Sequence, residues 1–231
     1  MSTNITNEPA IEQLLIKQYS IIENMDRRDI LILHHAGVVR RIHGKKVIHV
    51  SDVSIRYVYF LQKGLMKISN INDKGEEVIK YFIKPGAVFG ELNLLDNEES
   101  HHEIAVAMEN CEVYFIPVEN VKELMITNNS LRKSIHHYIS KRIKRMEERM
   151  LSLMLKDVKE RILDFLKEFV SEFGYPVNGG YQAKNFLTHE DIAKITTTSR
   201  QSVTTTLVHF KKMGWIDYDS QNLSVFNFQD K

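Results

Sequence analysis

Apolar positions change their spacing along this chain, and each change marks a different kind of element. Within residues 11–33, Leu14, Leu15, Ile21, Ile22, Ile30 and Leu33 fall at helical intervals and predict short helices. Residues 45–117 instead carry short β-branched and aromatic runs: Val47-Ile48-His49-Val50, Tyr57-Val58-Tyr59-Phe60-Leu61, Val78-Ile79-Lys80-Tyr81-Phe82 and Glu112-Val113-Tyr114-Phe115-Ile116. Lys63-Gly64, Asp73-Lys74-Gly75 and Lys84-Pro85-Gly86 separate such runs. Glycine there can take a positive φ and proline ends ladder pairing, so the region reads as a compact roll of antiparallel strands.

From residue 130 to residue 156 no glycine or proline interrupts a helical pattern. Ile139, Ile143, Met146, Met150 and Leu153 are spaced 4, 3, 4 and 3 residues apart, the alternation that keeps one seam of a helix facing a partner helix. The next seam position is Asp157, whose carboxylate breaks the stripe. The helix is therefore expected to end near Lys156, with a hinge there and a second amphipathic helix built on Val158, Ile162, Leu163, Leu166, Phe169 and Val170. The same stripe could pack on its own barrel, since two heptads fall short of the three or four that settle a coiled coil.

Phe173-Gly174-Tyr175-Pro176 and Asn178-Gly179-Gly180 supply a loop or a tight strand connection. Residues 187–195 then read as a short helix capped by Thr188, whose side-chain oxygen can take the backbone N–H near Asp191 in a capping box. Ala193 is small where a second helix must cross closely. Thr196-Thr197-Thr198 forms the turn, and Thr198 with Gln201 gives a second capping-box signature. In the next helix Val203, Leu207 and Phe210 form a buried stripe, while Arg200, Gln201, Thr204, Thr205 and Val208 fall away from it. Two strands, within 214–218 and 223–227, flank the polar turn Asp219-Ser220-Gln221-Asn222 and complete a winged helix-turn-helix.

That outward face suits duplex DNA. A guanidinium pairs bidentately with guanine O6 and N7, a Gln amide with adenine N6 and N7, and threonine with bases or phosphates. His209, Lys211 and Lys212 add positive charge, and no acid lies between Ser199 and Lys212, which favours the phosphate backbone. A small helical bundle used for protein contact would show the same two-helix spacing with Arg200 merely solvated.

Composition narrows the classes. The 231 residues suffice for two modest domains, and 43% hydrophobic with 26% charged residues is an ordinary globular balance. No apolar run approaches the roughly 18–20 residues of a membrane span, and the polar first ten residues lack the features of a secretory signal, so a cytoplasmic protein with no membrane partner is expected. The net charge of +1 means that any basic surface must be local. The single cysteine, Cys111, excludes an intramolecular disulfide and a four-thiolate cluster, and reads as a core residue. His34-His35, His101-His102 and His136-His137 are sequence neighbours that point in different directions, so neither haem nor another bound metal is expected. No nucleophile with its base, catalytic carboxylate pair or phosphate-binding Walker loop is visible, which argues against an enzyme.

Three separated stretches, in the same order, resemble the CRP/FNR family of bacterial transcription regulators: Gly86-Ala87-Val88-Phe89-Gly90-Glu91-Leu92, the long helix, and Leu187-Thr188 through Ser199-Arg200-Gln201-Ser202-Val203. The resemblance runs from about Leu31 onward. It implies an α+β chain with an N-terminal antiparallel, jelly-roll-like β-roll of cyclic-nucleotide-binding type within 1–129, a dimerisation helix at 130–156 and a winged helix-turn-helix domain at 157–231. It also implies a phosphate-binding cassette at Phe89, Gly90, Glu91 and Leu92, in which glycine lets backbone amides approach a phosphate and the glutamate holds a sugar hydroxyl. The Arg-Ser pair that completes the cassette is replaced by His101 and His102, and the purine-facing hydroxyls of the long helix by Met146 and Glu147. A neutral imidazole does not replace a permanent, forked guanidinium. These residues are thus a candidate effector pocket whose ligand is unknown and is not expected to be cyclic AMP. Glu91 has a second reading, as a cap for strand or loop amides.

The resemblance extends to the reader helix, where Arg200 is retained and Gln201 and Thr205 stand in place of the best-known member's Glu and second Arg, so the DNA preference should differ. Thr188, Thr198, Ser199, Arg200, Gln201, Thr204, Thr205 and Lys211 are the candidate DNA contacts. A two-fold homodimer would hold two recognition helices roughly 34 Å apart on an inverted repeat. The expected partners are double-stranded DNA and, for an activator, RNA polymerase. A signal at the barrel or long helix would act through the hinge near Asp157; a constitutively competent regulator is the simpler version. The alternative is a ligand-binding or protein-interaction regulator without specific DNA binding, for which Gln201 and Thr205 leave room.

Overall fold

The computed structural model describes residues 26–50, 56–95 and 103–226. The helical positions expected before residue 26, together with His101 and His102, lie outside the described residues. The described residues fall into two compact units, one drawn from residues 26–74 and 81–143, the other from residues 75–80 and 144–226.

Along the chain α1 (Arg27–Ala36) precedes β1 (Val38–Ile42), β2 (Val47–His49), β3 (Tyr57–Lys63), β4 (Met66–Ile71), β5 (Glu77–Ile83), β6 (Val88–Phe89), β7 (Glu103–Ala107) and β8 (Cys111–Pro117), all in the first unit except the first four residues of β5, which belong to the second. They form two four-stranded sheets, ordered β1-β8-β3-β6 and β2-β7-β4-β5. Alternation along β3 and β8 divides their side chains between two cores. Tyr59, Leu61, Val113 and Phe115 join Met66, Ile68 and Ala105 between the sheets. Val58, Phe60, Tyr114 and Ile116 join residues of α1, α2 (Val118–Thr127) and the start of α3 (Asn129–Leu155). Both faces of these strands are covered, which is why they read as unbroken apolar runs rather than alternating ones.

Strand β1 begins before the β texture recognised from residue 45. Among the described residues it pairs with β8 alone, and Val38, Val39, Arg40 and Arg41 are exposed, so an edge strand with little burial left no periodic signal. Cys111 is buried in the inter-sheet core, where burial pushes its thiol up to about 11.

Helix α3 changes character along its length. Leu131 and Ile135 are buried and Ile139 packs partly against the helix-covered core, whereas Ile143, Met146, Met150 and Leu153 remain 40–63% exposed. The helix stops at Leu155, and Asp157 caps α4 (Val158–Phe173): its carboxylate accepts from Glu160 N at 2.9 Å while Glu160 accepts from Asp157 N at 2.9 Å. That reciprocal box explains why the apolar seam ends here.

In the second unit, Ile162, Leu166, Phe169 and Val170 of α4 are buried. Strands β9 (Tyr175–Val177) and β10 (Gly180–Lys184), where the sequence left a loop or a strand connection open, pair with each other and extend the wing. With β11 (Ile216–Tyr218) and β12 (Asn222–Phe226) they form a sheet ordered β11-β12-β10-β9. Gly180 allows this closure, since a Cβ there would lie 2.0 Å from Val225 O. Between β10 and β11 run α5 (His189–Thr196) and α6 (Arg200–Lys212).

Candidate nucleic-acid interface

Local capping chemistry builds the α5–α6 pair. Thr188 Oγ1 accepts from Asp191 N at 3.0 Å, and the buried Asp191 carboxylate accepts from both Thr188 N and Thr188 Oγ1. Helix α5 closes through Thr197, which lies in the left-handed region at φ 53, ψ 59. Thr198 N donates back to Ala193 O at 3.0 Å. Thr198 therefore still belongs to the end of α5, and the cap of α6 is Ser199, whose Oγ accepts from Ser202 N at 3.0 Å. This corrects the Thr198–Gln201 capping box by one residue.

Val203, Leu207 and Phe210 are buried, and Thr206 with them, so α6 is anchored on one side. Arg200, Gln201, Thr204, Thr205 and Val208 are all exposed. The hydroxyls are less free than their exposure suggests. Thr204 donates to Arg200 O at 2.9 Å and Thr205 to Gln201 O at 3.1 Å, which leaves each with a methyl group and acceptor lone pairs to present.

Sequence reasoning passed over His189. Its Nδ1 lies 2.8 Å from Thr204 Oγ1, and with the Thr204 hydroxyl placed to donate to Arg200 O the pair suits the tautomer protonated at Nδ1. The ring also meets Tyr218 of the wing edge-on, at 6.2 Å between centroids. One side chain thus joins the first helix, the reader helix and the wing. Lys211 is engaged too: its Nζ pairs with Asp217 Oδ1 at 2.7 Å and donates to Tyr218 O at 3.1 Å. The absence of acids within α6 is offset by a wing carboxylate that the linear sequence places beyond it. Lys159, at the start of α4, lines a shallow surface groove with Gln201 and Thr205.

In the first unit, Phe89 stacks on Tyr59 at 4.7 Å and Gly90 takes φ 71. A Cβ at Gly90 would approach the Tyr59 ring to 2.7 Å and Tyr57 O to 2.9 Å, so the turn requires glycine for both its dihedral and its space. Glu91 follows in a short 3-10 turn and is fully buried. It makes no hydrogen bond to loop amides; its carboxylate forms an ion pair with Arg142 of α3, whose guanidinium also lies 4.4 Å from the centre of the Tyr81 ring. Tyr138, one helical turn earlier, donates to Val88 O at 2.5 Å. Neither Arg142 nor Tyr138 stood out in the sequence, because nothing local links them to the cassette. Met146 and Glu147 are exposed on the part of α3 that belongs to the second unit.

Among the described residues no His, Cys, Asp or Glu group could hold a metal ion, and no helix is long and apolar enough to cross a membrane. His34 stacks on Tyr114 at 5.9 Å and His35 Nδ1 contacts Leu31 O, while the two rings meet each other edge-on at 5.8 Å.

The family model for the cyclic nucleotide-binding domain matches residues 39–128, and that for the Crp-like helix-turn-helix domain matches residues 160–229. The chain is 29% identical over 187 residues to a global nitrogen regulator of Synechococcus elongatus, covering 80% of this chain and 83% of the relative. It is 23% identical to an anaerobic regulatory protein of Bacillus subtilis, covering 86% and 84%. Among solved structures, FixK2 from Bradyrhizobium japonicum superposes with a TM-score of 0.72 at 20% identity, over 84% of this chain and 94% of that one.

Proposed function

This chain belongs to the CRP/FNR family of transcription regulators, and we propose that it reads an inverted-repeat operator as a homodimer through Arg200, Gln201, Thr204 and Thr205. The observation that carries this reading is the exposed, acid-free face of α6, capped at Ser199 and anchored from behind by Val203, Leu207 and Phe210. Ser199 and Thr198 sit at the helix N-terminus, where hydroxyls and backbone N–H groups suit a phosphate, and Thr188 stands at the equivalent end of α5. Lys159 and His189 join the phosphate-contacting candidates. The exposed Ile143, Met146, Met150 and Leu153 supply the seam for a second copy, and Ile139 the point at which the helix leaves its own core. RNA polymerase is the further partner if the protein activates, and the cytoplasm is its place of work.

Cyclic AMP is a poor effector on this reading, because His101 and His102 stand where the resemblance expects the Arg-Ser pair that would neutralise its phosphate. Glu91 is ion-paired with Arg142, and among the described residues both of its oxygens lack a hydrogen-bond donor. Phe89, Gly90 and Leu92 frame that turn, and no ligand is assigned to it.

Selection of bound duplexes from a random library, at one stated salt concentration, tests the proposal. The wild type should enrich a palindrome whether or not cyclic AMP is added. Arg200→Ala should lose about 1–3 kcal/mol of base discrimination, roughly five- to 150-fold, while retaining weak non-specific binding. If no motif is enriched in any condition, either an effector is missing from the binding reaction or the chain is an interaction module rather than a DNA reader.

A further inference from the structure

The turn between α5 and α6 is held from behind by two arginines that contribute nothing to the reading face. Three consecutive carbonyls, those of Ile195, Thr196 and Thr197, each accept from a guanidinium. Arg149 of α3 donates through one nitrogen to Ile195 O and through another to Lys80 O at 2.6 Å. Arg161 of α4 donates through Nε to Thr196 O at 3.2 Å and through Nη2 to Thr197 O at 3.4 Å. Its third nitrogen, Nη1, reaches Lys156 O at 2.9 Å, the carbonyl that follows the last residue of α3. A single planar side chain therefore joins the end of the long helix, α4 and the helix-turn-helix turn.

The turn needs this support for two reasons. The last carbonyls of a helix have no intrahelical partner and carry the negative end of the helix dipole, so cations are favoured there. Thr197 also sits at φ 53, and a β-branched residue in the left-handed region is strained where glycine would not be. Arg149 is itself drawn out of water: burial pulls it below its ordinary value, and the facing Glu168 works against that shift. A half-buried guanidinium that donates to two backbone oxygens is held in place by them.

We infer that Arg149 and Arg161 are positioning residues for DNA recognition, which hold the strained Thr196–Thr198 turn so that Ser199, Arg200 and Gln201 enter the groove in one register. The inference rests on the assignment of α6 as the reader. It sets these arginines apart from phosphate contacts, because they face the turn's carbonyls, and from ordinary helix caps, because the turn they hold ends two residues before Arg200. It also gives movement at the end of α3 a short hydrogen-bonded route to the reader: Lys156 O to Arg161 to Thr197 O.

The test uses the full-length dimer with a selected operator duplex and a scrambled duplex of equal length, titrated at one salt concentration, beside hydrogen exchange of the 195–199 segment. Arg161→Lys keeps the charge but loses the fork, and should weaken operator binding at least tenfold while changing scrambled binding less than twofold. Exchange at the turn should rise, with the dimer intact. Arg149→Lys should act in the same direction. Adding Thr197→Gly, which removes the strain, to Arg161→Lys should recover most of the lost operator affinity. Equal losses on both duplexes would make Arg161 a phosphate contact and overturn the inference; so would unchanged operator affinity with only a lower melting temperature. A wild type that fails to prefer its operator would instead overturn the reader assignment, and the exchange arm would still decide whether the arginines hold the turn.

Discussion

Gly90 and Thr197 take the same left-handed backbone conformation, at φ 71 and φ 53, each just before a new helical segment, yet the chain finishes the two turns differently. At Gly90 the surrounding Tyr59 ring and Tyr57 O leave no room for a Cβ, and the next residue, Glu91, is buried and closed by Arg142. Thr197 is an exposed residue with room for a β-branched side chain, and the closing arginines approach at the carbonyls. Arginine thus completes both turns. In the barrel its charge meets the buried Glu91 carboxylate; in the helix-turn-helix it leaves Arg200 and Gln201 exposed. The chemistry free to meet a partner lies at the second turn.

Breaking the barrel pair should give the largest effect. Glu91 is fully buried, so Arg142→Ala strands a carboxylate without a partner and should destabilise the first unit by about 3–5 kcal/mol. Replacing both, as Glu91→Gln with Arg142→Met, should recover most of that loss, because a well-packed neutral pair removes the desolvation problem. Trp215, the chain's one tryptophan, packs against Phe210 in the second unit and gives a separate readout. In urea titrations Arg142→Ala should shift the far-UV transition to lower denaturant and leave the Trp215 emission transition where it was. A coincident shift of both signals would mean that the two units unfold together, and the contrast between the turns would then be one of chemistry but not of stability.

Much of the second unit was legible because its determinants are local. Thr188–Asp191 and the break in the seam at Asp157 are fixed by residues within a helical turn of one another, and the structure carries a capping box at each. The apolar runs of β3 and β8 were equally plain, since burial on both faces forces both sets of alternating positions to be apolar. What was hidden is long-range. Arg142 reaching Glu91, Arg149 reaching Ile195 O and His189 reaching Thr204 join elements whose meeting depends on the tertiary fold, and an arginine in a helix reads as solvated until its partner is seen. Ser199 displaced Thr198 as the α6 cap for a related reason. The backbone of Thr198 is committed to Ala193 O, a contact that only the completed turn reveals.

The caps give a smaller and cleaner comparison within the second unit. Thr188→Ala removes the side-chain acceptor for Asp191 N and the hydroxyl that donates to Asp191, and should cost about 1 kcal/mol, read by Trp215 emission in urea. Asp157→Ala should cost a similar amount, since it too loses a reciprocal box. A much larger loss for Asp157 would indicate that the hinge cap supports packing beyond its own helix.

The smallest effect concerns the wing, where the open turn meets its own counter-charge. Lys211 is paired with Asp217, whose carboxyl the lysine holds below its usual range through their hydrogen bond and its charge, so the pair stays ionised under any ordinary binding condition. Both side chains are solvent-exposed, and the pair should matter little for folding. Its consequence is for DNA. Asp217→Asn frees the lysine for a phosphate, which should steepen the dependence of log affinity on log salt by about 0.9 per half-site and raise operator and scrambled affinities alike at low salt. Base preference should not change, because phosphate contacts carry no sequence information. If the slope stays the same, Lys211 does not reach the backbone at all, and the local positive charge of the reader helix must be credited to His209, Lys212 and the α4 end at Lys159 instead.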